Sequence, residues 1–206
     1  MRSTAAVDPA TLDLISRLQS KEYLKGFNLV GGTALALLFG HRKSIDIDLF
    51  TDSSFDAGLL LENLSHDFDF SLHFSAGNTL KGSIESIKTD FLAHRYTLSF
   101  DPVTVQGITM LSVQDIIAMK LNAIVTSGQR VKDFIDIYYL FEQFSLAEMM
   151  TFYRQKYTLN NDALVLKSLV WFDDVDLSDW PVLILHPKLK WQDVRKRLTT
   201  AMRELI

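Results

Sequence analysis

The residues whose types and spacing could do chemistry begin with Gly31-Gly32, followed after thirteen residues by Asp46-Ile47-Asp48. The run from Ser44 to Phe50, S-I-D-I-D-L-F, alternates apolar and polar residues with a period of two, the pattern of a strand with one buried face. Ile45, Ile47 and Leu49 then share one side, and Asp46 and Asp48 the other. Side chains two apart on a strand leave the same face about 6 to 7 Å from each other, so both carboxylates can address one point. Two such anions repel unless a cation sits between them, and oxygen-only ligands select Mg²⁺ or Mn²⁺.

A third carboxylate stands in I-K-T-D-F-L, where Asp90 and Lys88 share parity and Ile87 and Phe91 face the other way. If that strand neighbours Ser44 to Phe50, three carboxylates meet, enough to hold two metal ions about 3.5 to 4 Å apart for in-line phosphoryl chemistry. Gly31, Gly32 and Thr33 supply the phosphate side. Glycines at a strand-to-helix turn permit close backbone approach, the helix N-terminus offers unpaired N–H groups, and Thr33 adds a hydroxyl. Neither G-x-x-x-x-G-K-[ST] nor G-x-G-x-x-G occurs. Two rival pairs, Asp67-Phe68-Asp69 and Asp174-Val175-Asp176, lack a preceding glycine turn and helix and read as solvated carboxylates.

The elements that position these residues follow from periodicity. Asp8-Pro9 opens a helix over 9–20, Phe27 to Val30 form a short strand, and Thr33 to Phe39 are strong helix formers. A helix is expected over 55–65. Strands at 68–75 and 83–92 should pair antiparallel across Ala76-Gly77-Asn78, with another short strand near Val103 to Val105. From Ser112 the pattern turns helical, with later helices near 145–156, 161–171 and 190–205, and a loop from Trp171 to Pro187. This predicts an α/β half, residues 1–110, followed by a helical half, residues 111–206.

Composition narrows the class. The 206 residues include no cysteine, which removes thiol catalysis, zinc ribbons and iron-sulfur clusters and fits a reducing, cytoplasmic setting. Met1 to Ala10 carry no apolar stretch after Arg2, which argues against a secretory signal, and the run from Leu29 to Gly40 is too short to cross a bilayer. The formal charge of -4 is uneven. Residues 188–206 hold six basic against two acidic side chains, +4, leaving fifteen against twenty-three, or -8, for the rest. The basic terminal segment is a candidate contact for an RNA backbone.

The run L-V-G-G-T-A-L-A-L-L-F-G-H-R-K-S-I-D-I-D-L-F, Leu29 to Phe50, resembles the first motif of the AbiEii/AbiGii toxin family within the polymerase-β-like nucleotidyltransferase superfamily. The run D-I-I-A-M-K-L-N-A-I-V-T-S-G-Q-R-V-K-D-F-I-D-I-Y-Y-L, Asp115 to Leu140, resembles that family's helical motif. The resemblance implies an α+β fold with a nucleotidyltransferase-like mixed sheet, flanking helices and a helical C-terminal subdomain completing the NTP site. It also implies Mg²⁺-dependent nucleotidyl transfer within a bacterial toxin-antitoxin or phage-defence module, with a cognate antitoxin encoded nearby and RNA, such as tRNA, as acceptor. By matching position, Asp46 and Asp48 would bind catalytic metal, Asp90 would be the third carboxylate and a candidate base, Lys120 would contact the triphosphate, and Asp133 would be the essential acid of the helical motif.

Other residues have blander readings beside these. Arg42, between the glycine helix and the aspartates, could reach a phosphate or form an ion pair at the lip of the site, and Lys88 would stand beside the nucleotide. Asp115 follows Ser112 at capping-box spacing. Of Asp133 and Asp136, three apart on one helical face, one is expected to be structural. His66, His73, His94 and His186 show no ligand spacing, and Trp171, Trp180 and Trp191 read as core or contact residues. Two alternatives keep parts of this picture: a small-molecule or protein acceptor at the same site, and a non-catalytic NTP-binding module.

Overall fold

The structure is a computed structural model that describes residues 3–158 and 161–205. Short helix α1 (Ser3–Ala6) and α2 (Pro9–Gln19), which starts at the expected Pro9, precede β1 (Asn28–Leu29) and α3 (Gly31–Phe39). Then come β2 (Ile47–Thr51), α4 (Ala57–Asp67), β3 (Phe70–Ala76), β4 (Thr79–Ile84) and β5 (Ile87–Ala93). Strands β6 (Val103–Val105) and β7 (Ile108–Met110) lead into α5 (Val113–Thr126), α6 (Val131–Leu140), α7 (Leu146–Lys156), α8 (Asp162–Leu169) and α9 (Trp191–Leu205).

All strands join one seven-stranded mixed sheet in the order β3-β4-β5-β2-β1-β7-β6. Its centre carries the chemistry: β2 runs parallel to β5 with Asp48 beside Asp90, and antiparallel to β1. Ile47, Leu49 and Phe91 are fully buried on the opposite face, so alternation fixes which way the carboxylates turn. The core continues into the helical half, where α5 packs on α3, α6, α7 and α8.

Three expectations need correction. Strand β2 begins at Ile47, so Asp46 lies on the approach to the strand, and Ile45 is 60% exposed instead of inward-facing. Thr33 Oγ1 donates to the Asp46 carbonyl, which ties this approach to α3 and keeps it off the ladder. The single hairpin expected over 68–92 is a three-strand meander: β4 pairs with both β3 and β5, and these two are not neighbours. The missed turn is Glu85-Ser86, both at positive φ (52° and 65°), without the Gly or Asn that normally marks such a turn. Similarly, β7 follows β6 through Gln106-Gly107, at φ 54° and 80°, and pairs parallel with β1. Trp171 is not a core residue; it is half exposed and donates from Nε1 to Asp174.

The helix ends follow local rules. Asp56 accepts from Gly58 and Leu59 at the start of α4, and Ser145 and Glu148 form a reciprocal capping box on α7. Ser112 caps α5 by accepting from the Asp115 N–H. Asp115 also takes hydrogen bonds from the Ser99 and Phe100 N–H groups and a 2.6 Å ion pair from Lys156, so its role is to fasten α5, α7 and the loop after β5 together.

Candidate active site

The glycine pair does more than open a turn. Gly31, at φ 72°, sits so close to β2 that a β-carbon there would lie 2.7 Å from Asp48 Oδ2. A β-carbon on Gly32 would clash with Arg42 Nη2. Side-chain-free positions therefore let a carboxylate and a guanidinium flank the first turn of α3, whose N-terminus has no side-chain cap. The Val30 N–H donates to the Asp48 carbonyl at 2.9 Å, fixing the turn against the strand.

Asp48 and Asp90 are register partners on adjacent parallel strands. Burial pushes the Asp48 carboxyl above its ordinary range; Asp90 and Asp46 add to the rise, and Lys88 and Lys120 oppose it. Those five charged groups therefore share one region. Lys88 Nζ lies 3.4 Å from Asp90 Oδ2, while Asp90 Oδ1 is buried with no hydrogen-bond partner. Lys81, opposite Asp90 in the β4 register, adds a cation to the same face; it escaped the sequence reading because β4 did.

Behind the carboxylates lies a buried ionic cluster. Lys120, 6% exposed, places Nζ 2.6 Å from Asp133 Oδ1 and 2.7 Å from Asp136 Oδ2. Asp136 is fully buried and also accepts from Arg42 Nε (2.7 Å) and Nη2 (3.0 Å), with His41 Nε2 at 2.8 Å. Burial alone would raise the Asp136 carboxyl, but Arg42 and Lys120 hold it well below its ordinary range. Burial opposes charge on Lys120 too, and Asp133 and Asp136 overcome it, so the ammonium stays protonated.

This cluster revises the expected division of labour. Asp136 is the hub, bound by three cationic or imidazole groups from two other segments, whereas Asp133 meets Lys120 and, at 3.9 Å, Arg130. Arg42 is neither at the lip nor turned to an open phosphate position: it is 2% exposed and its guanidinium is spent on Asp136 and the Lys43 carbonyl. Thr33 is likewise buried, its hydroxyl bonded to Ser44 Oγ and the Asp46 carbonyl instead of facing a ligand. His41 was missed because the contact that defines it spans 95 residues.

Among the described residues no group of three carboxylate or imidazole side chains encloses a common metal position as placed. The donor chemistry nonetheless fits a hard divalent cation: oxygen ligands, a buried Asp90 oxygen with no hydrogen-bond partner among the described residues, and an Asp48 carboxyl pushed upward by burial, with Asp90 and Asp46 adding to the rise.

An uncapped helix start beside paired aspartates on the central strands of a mixed sheet is the arrangement expected of a nucleotidyltransferase-type protein. The family model "Nucleotidyl transferase AbiEii toxin, Type IV TA system" matches residues 13–106 and 88–204, and the chain belongs to that family. A relative, the uncharacterized protein aq_aa25 of Aquifex aeolicus, is 30% identical over 168 residues, covering 79% of this chain and 81% of its own. Two solved structures share the fold: MenT4, a nucleotidyltransferase toxin from Mycobacterium tuberculosis (TM-score 0.63, 14% identity, 94% of this chain and 80% of that one), and JHP933 from Helicobacter pylori (0.57, 17%, 97% and 93%).

Proposed function

We propose that the chain transfers a nucleoside monophosphate from an NTP to an acceptor hydroxyl at an RNA 3′ end, such as that of tRNA, with pyrophosphate as the leaving group and Mg²⁺ or Mn²⁺ as cofactor. The observation that carries this reading is the Asp48–Asp90 register pair facing the open start of α3 at Gly31. Family membership supports the NTP substrate and a cognate antitoxin.

In this reading Asp46, Asp48 and Asp90 hold the divalent metal, which supplies charge neutralisation at the reacting phosphate. The backbone N–H groups at Gly31 to Thr33 receive phosphate oxygens. Lys88, half exposed beside Asp90, reaches toward the nucleotide. Lys120, kept charged by its two aspartates, directs a fixed positive field at Asp48 and at the triphosphate beside it. Asp90 Oδ1, the oxygen without a partner, takes the proton of the acceptor hydroxyl. Arg42 and Asp136 hold the glycine turn and Lys120 in place.

The setting that fits is a bacterial toxin-antitoxin or phage-defence module in the cytoplasm; among the described residues no helix is long and apolar enough to cross a membrane. The test is incubation of purified protein with α-labelled NTPs and separate pools of tRNA, protein and metabolites. Label should enter RNA and be lost in Asp46→Ala and Asp48→Ala. Label in RNA that persists in both variants would sink the mechanism. The -8 charge of residues 1–187 favours a second reading, a small-molecule or protein acceptor, which label in those pools alone would establish.

A further inference from the structure

Helix α9 turns Val194 (0% exposed) and Leu198 (2%) into the core and leaves Arg195, Lys196, Thr200 and Arg203 exposed, with Thr199 half-buried. At positions i, i+1, i+4, i+5 and i+8 these five form one stripe, about 12 Å long at 1.5 Å per residue. The stripe lines a groove of about 380 Å³ completed by Phe172 and Gln192, and no carboxylate lines it. Among the described residues none of its three cations is ion-paired. The groove on the other side of α9, about 690 Å³, differs in mixing Asp193, Glu142 and Glu204 with Lys196 and Arg197.

Unpaired cations concentrated on one helix of an acidic protein form a field that attracts polyanions. Along the stripe two cations, Arg195 and Lys196, are followed by two hydroxyls, Thr199 and Thr200, and a third cation, Arg203, which suits a sugar-phosphate backbone that presents both anions and hydroxyls. The groove also has a physical connection to the site. Asp133 holds Lys120; the next residue, Phe134, packs edge-on against Phe172 (6.0 Å) and Trp191 (5.8 Å); and Arg195 lies over the Phe172 ring at 5.0 Å. The stripe is thus anchored to the same helix that positions the lysine.

We infer that the Arg195–Lys196–Arg203 groove is a docking surface for the RNA backbone, engaging the acceptor strand away from its reacting end. This rests on the reading of the acceptor as RNA. Cations alone would take any polyanion; the Thr199 and Thr200 hydroxyls and Gln192 amide between them, which can pair with ribose hydroxyls, commit it to RNA over an acidic protein.

The test uses the full chain, a short fluorescein-labelled single-stranded RNA, and a triple variant, Arg195→Gln with Lys196→Gln and Arg203→Gln. These side chains are exposed and glutamine suits a helix, so the fold should survive; circular dichroism checks it. RNA affinity should fall about tenfold or more, and the slope of log affinity against log salt should shrink by about 2, three contacts at roughly 0.7 each. NTP binding should not change. Unaltered RNA affinity would overturn the inference, as would wild-type binding to polyglutamate that is as tight and equally sensitive to the triple variant. RNA bound through the groove but never labelled would sink the transfer reading and leave the groove; equal RNA labelling by wild type and variant would do the reverse.

Discussion

A β-carbon on Gly31 would stand 2.7 Å from Asp48 Oδ2, so the first residue of α3 and the central carboxylate of β2 occupy space that only a glycine can share. Gly31→Ala adds this contact to an unfavourable φ of 72° and should cost about 1 to 3 kcal/mol. Gly32→Ala meets an Arg42 guanidinium that cannot retreat, because Asp136 holds it, and overpacking of that kind costs about 1 to 3 kcal/mol. Urea denaturation reads both losses. NTP affinity should fall more in Gly31→Ala than stability alone accounts for, since Asp48 moves with it.

Asp136→Asn should be far more damaging than Asp133→Asn. The first leaves Arg42 buried with no carboxylate partner and Lys120 with Asp133 alone, a change of about 3 to 5 kcal/mol; the second leaves both cations with Asp136. Thermal melts rank them. If Asp133→Asn proves the less stable, the hub is misassigned.

Asp90→Asn separates stability from activity. Asp90 raises the Asp48 carboxyl by repulsion, so removing its charge should leave the melting temperature unchanged or slightly higher, while nucleotidyl transfer falls by at least about a hundredfold. Burial of Asp48, with Asp90 and Asp46 adding to it, also sets a pH dependence. Charging Asp48 costs the folded state, and that cost is present above its raised folded pKa and relieved as pH falls through it. Mg²⁺ or Mn²⁺ should relieve it at neutral pH, raising the melting temperature of wild type more than that of Asp48→Asn.

His94 gives an independent pH signature. Burial lowers its pKa from 6.5 to about 4, with Lys156 adding to the drop and Asp115 opposing it. The unfolded chain therefore binds a proton near pH 6.5 that the folded chain refuses until about 4, and stability falls as pH drops across that window. His94→Gln should flatten the loss in urea midpoint between these values, with the wild-type slope as reference.

Much of this arrangement was legible in the chain. The alternation in I-D-L-F shows which face Asp48 takes, though it does not extend back to Ile45 and Asp46; the parity of Lys88 and Asp90 gives them one face, and the pairing of β5 with β2 sets that face beside Asp48. What stayed hidden depends on contacts with no local trace. Glu85-Ser86 turns a hairpin without turn residues because the paired strands Thr79–Ile84 and Ile87–Ala93 impose the conformation. Asp133 and Asp136 look alike on one helix face; only the arrival of His41 and Arg42 from the far end of α3 makes one of them the hub.

That arrival has a consequence in time. Arg42 leaves the ribosome 94 residues before the aspartate that neutralises it, an interval of about 5 to 20 seconds at 5 to 20 residues per second. Until then the guanidinium beside Gly32 lacks the carboxylate that accepts from its Nε and Nη2 in the folded chain. The order of synthesis thus places the closing of the Arg42–Asp136 pair, and with it the packing of the glycine turn, after translation of α6.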